Sequence, residues 1–421
     1  MTSTIGVKKI QHTNGTQVMT FDSSGSAGIT TANITTATIT TANVTNATAT
    51  GTITTPSING GQIGGRRNLI INGGMNIAQR ATSSTSDSYS TIDRYLNETN
   101  GGTTTFSQEN VSSGDAPYEK GHRKFHRMTN TTANTGTGAL RRFQQRIEAQ
   151  NLACSGWNYT STDVGLTISF WARSSISGTY YCWLYGDDSA ASAIAYVPTG
   201  FALSANTWTY VTQKIKGNAN LAFNNDNGSG LRIYIIAHQG TDMTSGAGSG
   251  TFDAWGAYSG TFRSGAMTQN WSHTQGATFD VTGLQAEAGS QATPFEHRSF
   301  AEELQLCKRY FQVLADGSRS TDEAICAGAY YTASILFHSV VLPVEMRSKP
   351  TMVTTNGTNY YITFSNGSGD HHDAIARSGN SSKSVVEIYA ETNVGGTAGH
   401  ACFTRIGGTS SDAKCMLDAE L

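Results

Sequence analysis

The chain has 421 residues, of which 14% are charged and 46 are glycine, and its formal net charge is −2. So few charges favour short strands joined by polar, glycine-bearing loops, and the near-neutral balance gives no footing for nucleic acid or an anionic membrane surface. No apolar run approaches a membrane span, which argues against membrane insertion.

Residues 1–28 open with a hairpin pattern. Val7 to Thr13 and Thr16 to Phe21 flank Asn14-Gly15, a pair that supplies the positive φ angles of a type I′ turn. A lone hairpin is marginal in water, so this segment is expected to dock on a larger assembly, as an anchor. Met1 to Lys9 lacks the apolar core of an export signal. The six cysteines (Cys154, Cys182, Cys307, Cys326, Cys402 and Cys415) are scattered without metal spacing. They are expected as buried thiols of a protein synthesised in a cytoplasm.

Residues 29–67 form a Thr-rich tract with an aliphatic residue at every fifth position: Ile29, Ile34, Ile39 and Val44. In a flat strand an odd period throws successive side chains onto opposite faces. A helix drifts by 140° per repeat and disfavours the β-branched threonines. The remaining form is a β-solenoid-like or intertwined stalk. The repeats are too few to close a core within one chain, so identical chains sharing one axis would supply the missing cover. The competing reading is a disordered Thr-rich linker.

Between residues 68 and 298, short β-type runs recur: Leu69–Ile71, Val164–Ala172, Tyr180–Tyr185, Thr207–Ile215, Leu231–Ala237 and Ala277–Ala286. Leu166, Ile168, Phe170 and Ala172 alternate with polar positions and Trp171, giving a strand with one apolar face. Spacing and turn density predict an antiparallel β-sandwich. A long glycine-rich stretch from His238 to Thr278 interrupts the rhythm, and such loops often carry function. Sugar recognition needs aromatic platforms with amides or carboxylates nearby. Trp255, Tyr258 and Trp271, with Asp253, Gln269 and Asn270, are therefore the candidate glycan contacts; the bland alternative is that these rings pin the loop. Trp171 and Trp208 are assigned to core or sheet packing.

Residues 299–314 are expected to form the linking helix. Ser299 and Glu302 make a capping box, and Phe300, Leu304, Cys307, Phe311 and Leu314 follow the rhythm of a coiled-coil seam, facing either their own domain or symmetry mates. Residues 315–421 then read as a second β-domain, with strands at Asn359–Phe364, Ser384–Ala390, His400–Ile406 and Lys414–Glu420. Asp370, His371, His372 and Asp373 are the one local cluster with ligand chemistry, a low-probability metal site against a solvated loop tip. Asp187, Asp188, Asp226, Asp242, Asp253 and Asp280 show no spacing that singles out an acid and a base. No phosphate loop, CxxC motif or nucleophile triad is present, and no cofactor is expected.

The segment Asn68-Leu69-Ile70-Ile71-Asn72-Gly73-Gly74-Met75-Asn76-Ile77-Ala78-Gln79-Arg80 resembles the opening strand of a jelly-roll module of bacteriophage tail fibres. Asp93-Arg94-Tyr95, Ser169 to Arg173, Asn206-Thr207-Trp208, Val281 to Gly289, Thr293 to Arg298, Glu302 to Tyr310 and Leu342 to Arg347 look like that family's further landmarks, in order. Val7 to Gly25 is similar to the starts of structural proteins of marine phages. The chain departs from the family in having Gly74 where Asp is frequent and Ala78 where Trp is frequent; the first removes a carboxylate that a structural calcium would use.

The resemblance implies a mainly β virion fibre subunit: hairpin, repetitive stalk, galactose-binding-like jelly roll, linking helix and a C-terminal β-sandwich that reads the receptor. It implies a homotrimer attached to other tail or virion proteins through its N-terminus and adsorbing to a host polysaccharide or outer-membrane receptor, without catalysis. The alternatives are a fibre-borne glycan depolymerase and a capsid-mounted or adaptor fibre with a purely structural role.

Overall fold

The computed structural model describes residues 66–421 except residues 164, 189–193, 268 and 408–410, together with three strands nearer the N-terminus. The chain divides into two units, Met1–Thr55 and Pro56–Leu421. In the first, Lys9–Gln11 pairs antiparallel with Gln17–Phe21, as the hairpin pattern predicts, and Ala27–Gly28 adds a third strand. The pentad positions Ile29, Ile34, Ile39 and Val44 lie outside the described residues.

The second unit is built on two antiparallel sheets packed face to face. The first sheet runs, across its width, through Trp255–Ala257, Ile194–Tyr196, Gly178–Gly186, Ser229–Gln239, Leu140–Glu148 and Leu96–Asn100, with Phe201–Leu203 beside Gly178–Gly186. The second runs through Thr209–Lys216, Gly165–Ser174, Thr278–Ala288, Lys124–Thr132, Thr103–Asn110 and Ser83–Ser84. Period-two patterning fixes which side chains meet between them. Leu166, Ile168, Phe170 and Ala172 from one sheet interlock with Tyr180, Cys182, Leu184, Leu231, Ile233 and Ile235 from the other, all essentially buried. Removing that much apolar surface from water is the main stabilising term.

Leu69–Ile71, predicted as a strand, joins neither sheet. Side chains take the place of a ladder: Leu69 N–H donates to the Ala286 carbonyl, and Gln145 uses its Oε1 and Nε2 to pair with the N–H and C=O of Ile71. Buried backbone groups must find partners, and a lone glutamine amide meets that need without a neighbouring strand.

The linking helix is shorter than its heptad spacing predicts. It spans Phe300–Lys308, with Ser299 and Glu302 making the capping box in both directions. Phe311 and Leu314 instead belong to the strand Phe311–Asp316, which pairs with Lys414–Asp418. The five residues of the expected seam therefore do not share one helix face. Cys307 and Leu304 pack against Ile71, Ile77, Tyr310 and Leu421 of the same chain, while Phe300 is 65% exposed. Strand pairing satisfies the backbone of Phe311–Asp316 and buries Phe311, and this overrides local helical rhythm.

The C-terminal sheets are a three-stranded one, in which Lys414–Asp418 lies between Phe311–Asp316 and Thr351–Thr355, and a seven-stranded one. The latter includes Tyr361–Ser365, Val385–Ala390 and Ala401–Ile406, within a residue or two of the predicted strands. Ala315, Cys415 and Leu417 from the smaller sheet meet Leu336, Val386, Ile388 and Ile406 from the larger. All six cysteines are free, and Cys154 is exposed rather than buried, because it caps a short surface helix.

A buried polar clamp joins jelly roll, helix and C-terminal strands. Arg94 is buried, pairs with Glu420 and donates to the Arg146 carbonyl; its guanidinium lies 3.4 Å from the Tyr310 ring centroid. Arg309 grips Glu148 with a two-pronged fork, Nε at 2.7 Å and Nη2 at 2.8 Å, and Tyr310 donates its hydroxyl to the same carboxylate. Burial pushes the Glu148 carboxyl up, but the Arg309 and Tyr310 hydrogen bonds outweigh it and hold the group below its usual range. Arg347 ties the tail by donating to the carbonyls of Ala419 and Glu420. Among the described residues, no helix is long and apolar enough to cross a membrane.

Candidate ligand-binding surface

The same alternation that sends Tyr180, Cys182 and Leu184 inward sends Tyr181, Trp183 and Tyr185 to the outer face of the first sheet. Register then sets side chains in rows. Tyr185 stands opposite Arg232 and Arg146, Trp183 opposite Tyr234 and Gln144, and Ile236 opposite Arg142 and Glu98. Trp183 and Tyr234 lie 4.4 Å apart at 30°. The Arg142 guanidinium sits 4.5 Å from the Tyr234 centroid while its Nε bonds Glu98 at 2.9 Å. Arg232 lies 5.2 Å over Tyr185 and is held by Asp187 at 2.7 Å.

Tyr258, from the long loop, closes this cluster on the solvent side. It approaches Trp183 at 6.0 Å and Tyr185 at 5.3 Å, accepts a hydrogen bond from Arg263 at 2.5 Å and remains 40% exposed. Burial raises the Tyr234 phenol above its ordinary range, so it stays a neutral hydroxyl at neutral pH. Trp183, Tyr234 and Arg142 are buried beneath it, so the groups open to a ligand are Tyr258 and the partly exposed Tyr185, Arg232 and Arg263, a rim of rings and guanidinium donors that suits a polyhydroxyl ligand.

Of the six predicted glycan contacts, Tyr258 alone reaches this surface. Trp271 is fully buried in the sandwich core, where its Nε1 donates to the Thr278 carbonyl. Gln269 is also buried, against Gly178. Asn270 is exposed and serves the loop, its carbonyl accepting from the His273 N–H and the Thr274 hydroxyl. Trp255 pins the loop: its Nε1 donates to the Lys216 carbonyl at 2.6 Å and its ring meets Tyr196 edge-on at 5.4 Å. Asp253 accepts from the Thr199 N–H and hydroxyl. These partners tie Trp255 and Asp253 to their neighbours in the fold. The stretch itself is not structureless; it holds short helices at Thr241–Thr244 and Ser245–Gly248 and the strand Trp255–Ala257.

Trp183, Tyr185, Tyr234, Arg142 and Arg232 were legible in principle, as the second face of strands recognised by their first. Trp171, assigned to packing, points the other way, onto the outer face of the second sheet beside Tyr210.

No family model matches the chain, and no curated protein matches it in sequence. Among solved structures it is similar to the enzymatically active domain of bacteriophage CBA120 tailspike protein 4, with 10% identity over 52% of this chain and 21% of that one and a TM-score of 0.28. It is also similar to the CBM22-2 xylan-binding domain of Paenibacillus barcinonensis Xyn10C, with 12% identity over 50% of this chain and 98% of that one and a TM-score of 0.25. A third likeness is to the CBM22-1-GH10 modules of Clostridium thermocellum xylanase 10B, with 9% identity over 49% of this chain and 28% of that one and a TM-score of 0.24.

The metal candidates do not converge. Asp370, His371 and His372 lie along the strand Ser368–His372, where alternate side chains face opposite ways. His372 is buried and bonds Thr363 at 2.9 Å, His371 is exposed, Asp370 accepts from the Gly395 N–H, and Asp373 accepts from the Asn359 N–H. Among the described residues, no group of three or more His, Cys, Asp or Glu side chains could hold a metal. Most of the aspartates already have structural partners: Asp280 is shared by Arg127 and Arg173, and Asp187 is held by Arg232 and Ser229. Burial raises the Asp188 carboxyl, with Asp226 and Asp187 adding to the rise against an opposing bond from the Asn224 N–H.

Proposed function

We propose that this chain is a non-enzymatic tail fibre subunit of a bacteriophage, a virion protein that adsorbs to a glycan on the host surface. The rim of Tyr258, Tyr185, Arg232 and Arg263 over the buried Trp183 and Tyr234 stack carries the reading. It offers aromatic contact for sugar C–H groups and charged donors for hydroxyls, and the buried strand residues beneath hold the loop-borne Tyr258 in place. The ordered tail fibre landmarks support the virion role. Residues 1–28 would attach the fibre to other virion proteins, and residues 315–421 would add receptor contacts. Several weak sites on each of several copies would reach useful avidity together.

A homotrimer is the state we propose. It is supported by the outer face of the seven-stranded sheet, where Phe364 and Phe403 stack at 5.2 Å and Phe337 meets Tyr389 at 6.0 Å. Tyr331 and Val341 on the same sheet are 72% and 76% exposed. Sibling copies are the occupant this face suits, because it also carries charges of both signs, Arg405, which lies 3.8 Å from Asp322, and Glu387.

The test is binding of purified protein to immobilised host polysaccharide, with Tyr258→Ala as the control. Retained binding by wild type and loss in the variant supports the reading; no binding, or equal binding by both, overturns it. A depolymerase is the second reading, favoured by Asp188 being raised beside Asp226 and Asp187. Sustained release of reducing ends from the same polysaccharide would establish it in place of the first.

A further inference from the structure

A cavity of about 610 Å³ opens on the outer face of the second sheet, on the opposite side of the sandwich from the Trp183 surface. One wall is a cross-strand pair. Trp171 and Tyr210 stand opposite each other in the ladder, their rings 5.2 Å apart and tilted by 51°, and Tyr210 is 44% exposed. The other wall is a triangle of rings. His122 lies 4.8 Å from Phe295 and 5.3 Å from His297, and Phe295 lies 4.9 Å from His297.

A bulge makes room for this triangle. The pairing of Thr278–Ala288 with Gly165–Ser174 shifts register between Thr282 and Gln285, and Gly283 sits there at φ +66°, where a Cβ would come within 2.7 Å of the His122 ring. Only glycine meets both the left-handed backbone and the close approach.

The two imidazoles have defined needs. Nε2 of His297 lies 2.8 Å from the Lys120 carbonyl, which can only accept, so Nε2 carries a proton. His122 lines the cavity, is only 3% exposed, and its Nδ1 has no hydrogen-bond partner among the described residues. Burial, with His297 and Arg123 adding to it, lowers His122 to about 4, so the ring is uncharged near neutral pH. An anion would find His122 uncharged, with Lys120 as the cation of the lining. A hydroxyl, both donor and acceptor, suits each ring.

We propose that this cavity binds a single pyranose residue, its C–H face on Trp171 and Tyr210 and its hydroxyls on His122 and His297. The proposal shares the carbohydrate reading given above but assigns a separate site on the other sheet.

Saturation-transfer NMR on the full chain, titrated with the methyl glycosides of glucose, galactose, mannose and N-acetylglucosamine, tests it. At least one probe should bind, with Tyr210→Ala and Trp171→Ala each raising Kd tenfold or more. His122→Phe, which keeps a ring but removes its nitrogens, should also weaken binding; unchanged or tighter binding overturns the proposal. Because Tyr210 is exposed, its variant serves if Trp171→Ala fails to fold. Binding lost only in Tyr258→Ala, or absent for every probe while host polysaccharide still binds, overturns the cavity assignment and leaves the proposed function standing. Probe binding lost in Tyr210→Ala upholds the cavity, and host polysaccharide binding that is equal in wild type and Tyr258→Ala separately overturns the Tyr258 surface.

Discussion

Tyr258 and Arg94 show how differently single residues contribute. Tyr258 is half in solvent and covers a stack already built by the sheet, so its loss removes a contact without opening the core. Tyr258→Ala should weaken polysaccharide binding about tenfold, an aromatic contact of about 1.4 kcal/mol, with the melting temperature unchanged; biolayer interferometry beside a thermal melt checks both. Arg94 is the opposite case, a buried cation whose counter-ion arrives from the far end of the chain. Glu420→Gln leaves that charge unpaired and should cost about 3–5 kcal/mol in a denaturant titration. Buried histidines add a pH term. Burial lowers His126 to about 3 and, with help from neighbouring cations, His238 and His338 to about 4, against an unfolded value of 6.5. Above pH 6.5 neither state takes the proton. Between there and the folded values only the unfolded chain does, so stability should fall on acidification by about 1.4 kcal/mol per pH unit for each such histidine. Urea midpoints measured from pH 7.5 to 4.5 test the direction, and His126→Asn should flatten the slope.

At the scale of elements, the capping box is where local sequence and structure agree most closely. Ser299 and Glu302 are exposed and satisfy each other's backbone, independent of what the helix packs on. Ser299→Ala should therefore cost about 1 kcal/mol, and Ser299→Gly only a few tenths, by urea unfolding. The far end of the same helix was not legible. Phe311 to Leu314 carries residues that fit either a seam or a strand, and the choice depends on Lys414–Asp418, a partner about a hundred positions away. Leu69–Ile71 shows the same limit in reverse, a β-type run whose partner turned out to be the amide of Gln145.

For the whole molecule, the clamp of Arg94, Glu148, Arg309, Tyr310 and Glu420 fixes the C-terminal sandwich on the jelly roll through paired charges. Many of the landmark residues that carry the family resemblance lie in or beside this clamp, so their spacing reflects how the two sandwiches join rather than a ligand site. Self-association belongs to this scale as well. Light scattering should give the mass of three copies. Phe403→Glu with Tyr331→Glu should weaken association measurably while leaving circular dichroism unchanged, since both residues are at least half solvent-facing. A wild-type monomer would overturn the trimer.

The strands, their inward faces, the first hairpin and the helix start were already written in residue order, because each rests on neighbours two to four positions away. The ligand surfaces were not. Alternation says that a strand has two faces but not which aromatics on the second face will line up with those of the next strand, and that depends on register between distant segments. Trp271 and Trp171 make the point together: the one in a glycine-rich loop is folded into the core, and the one in a regular strand stands at the mouth of a cavity. Only the closing of the sheets, which buries whatever lies between them and exposes whatever does not, could separate the two.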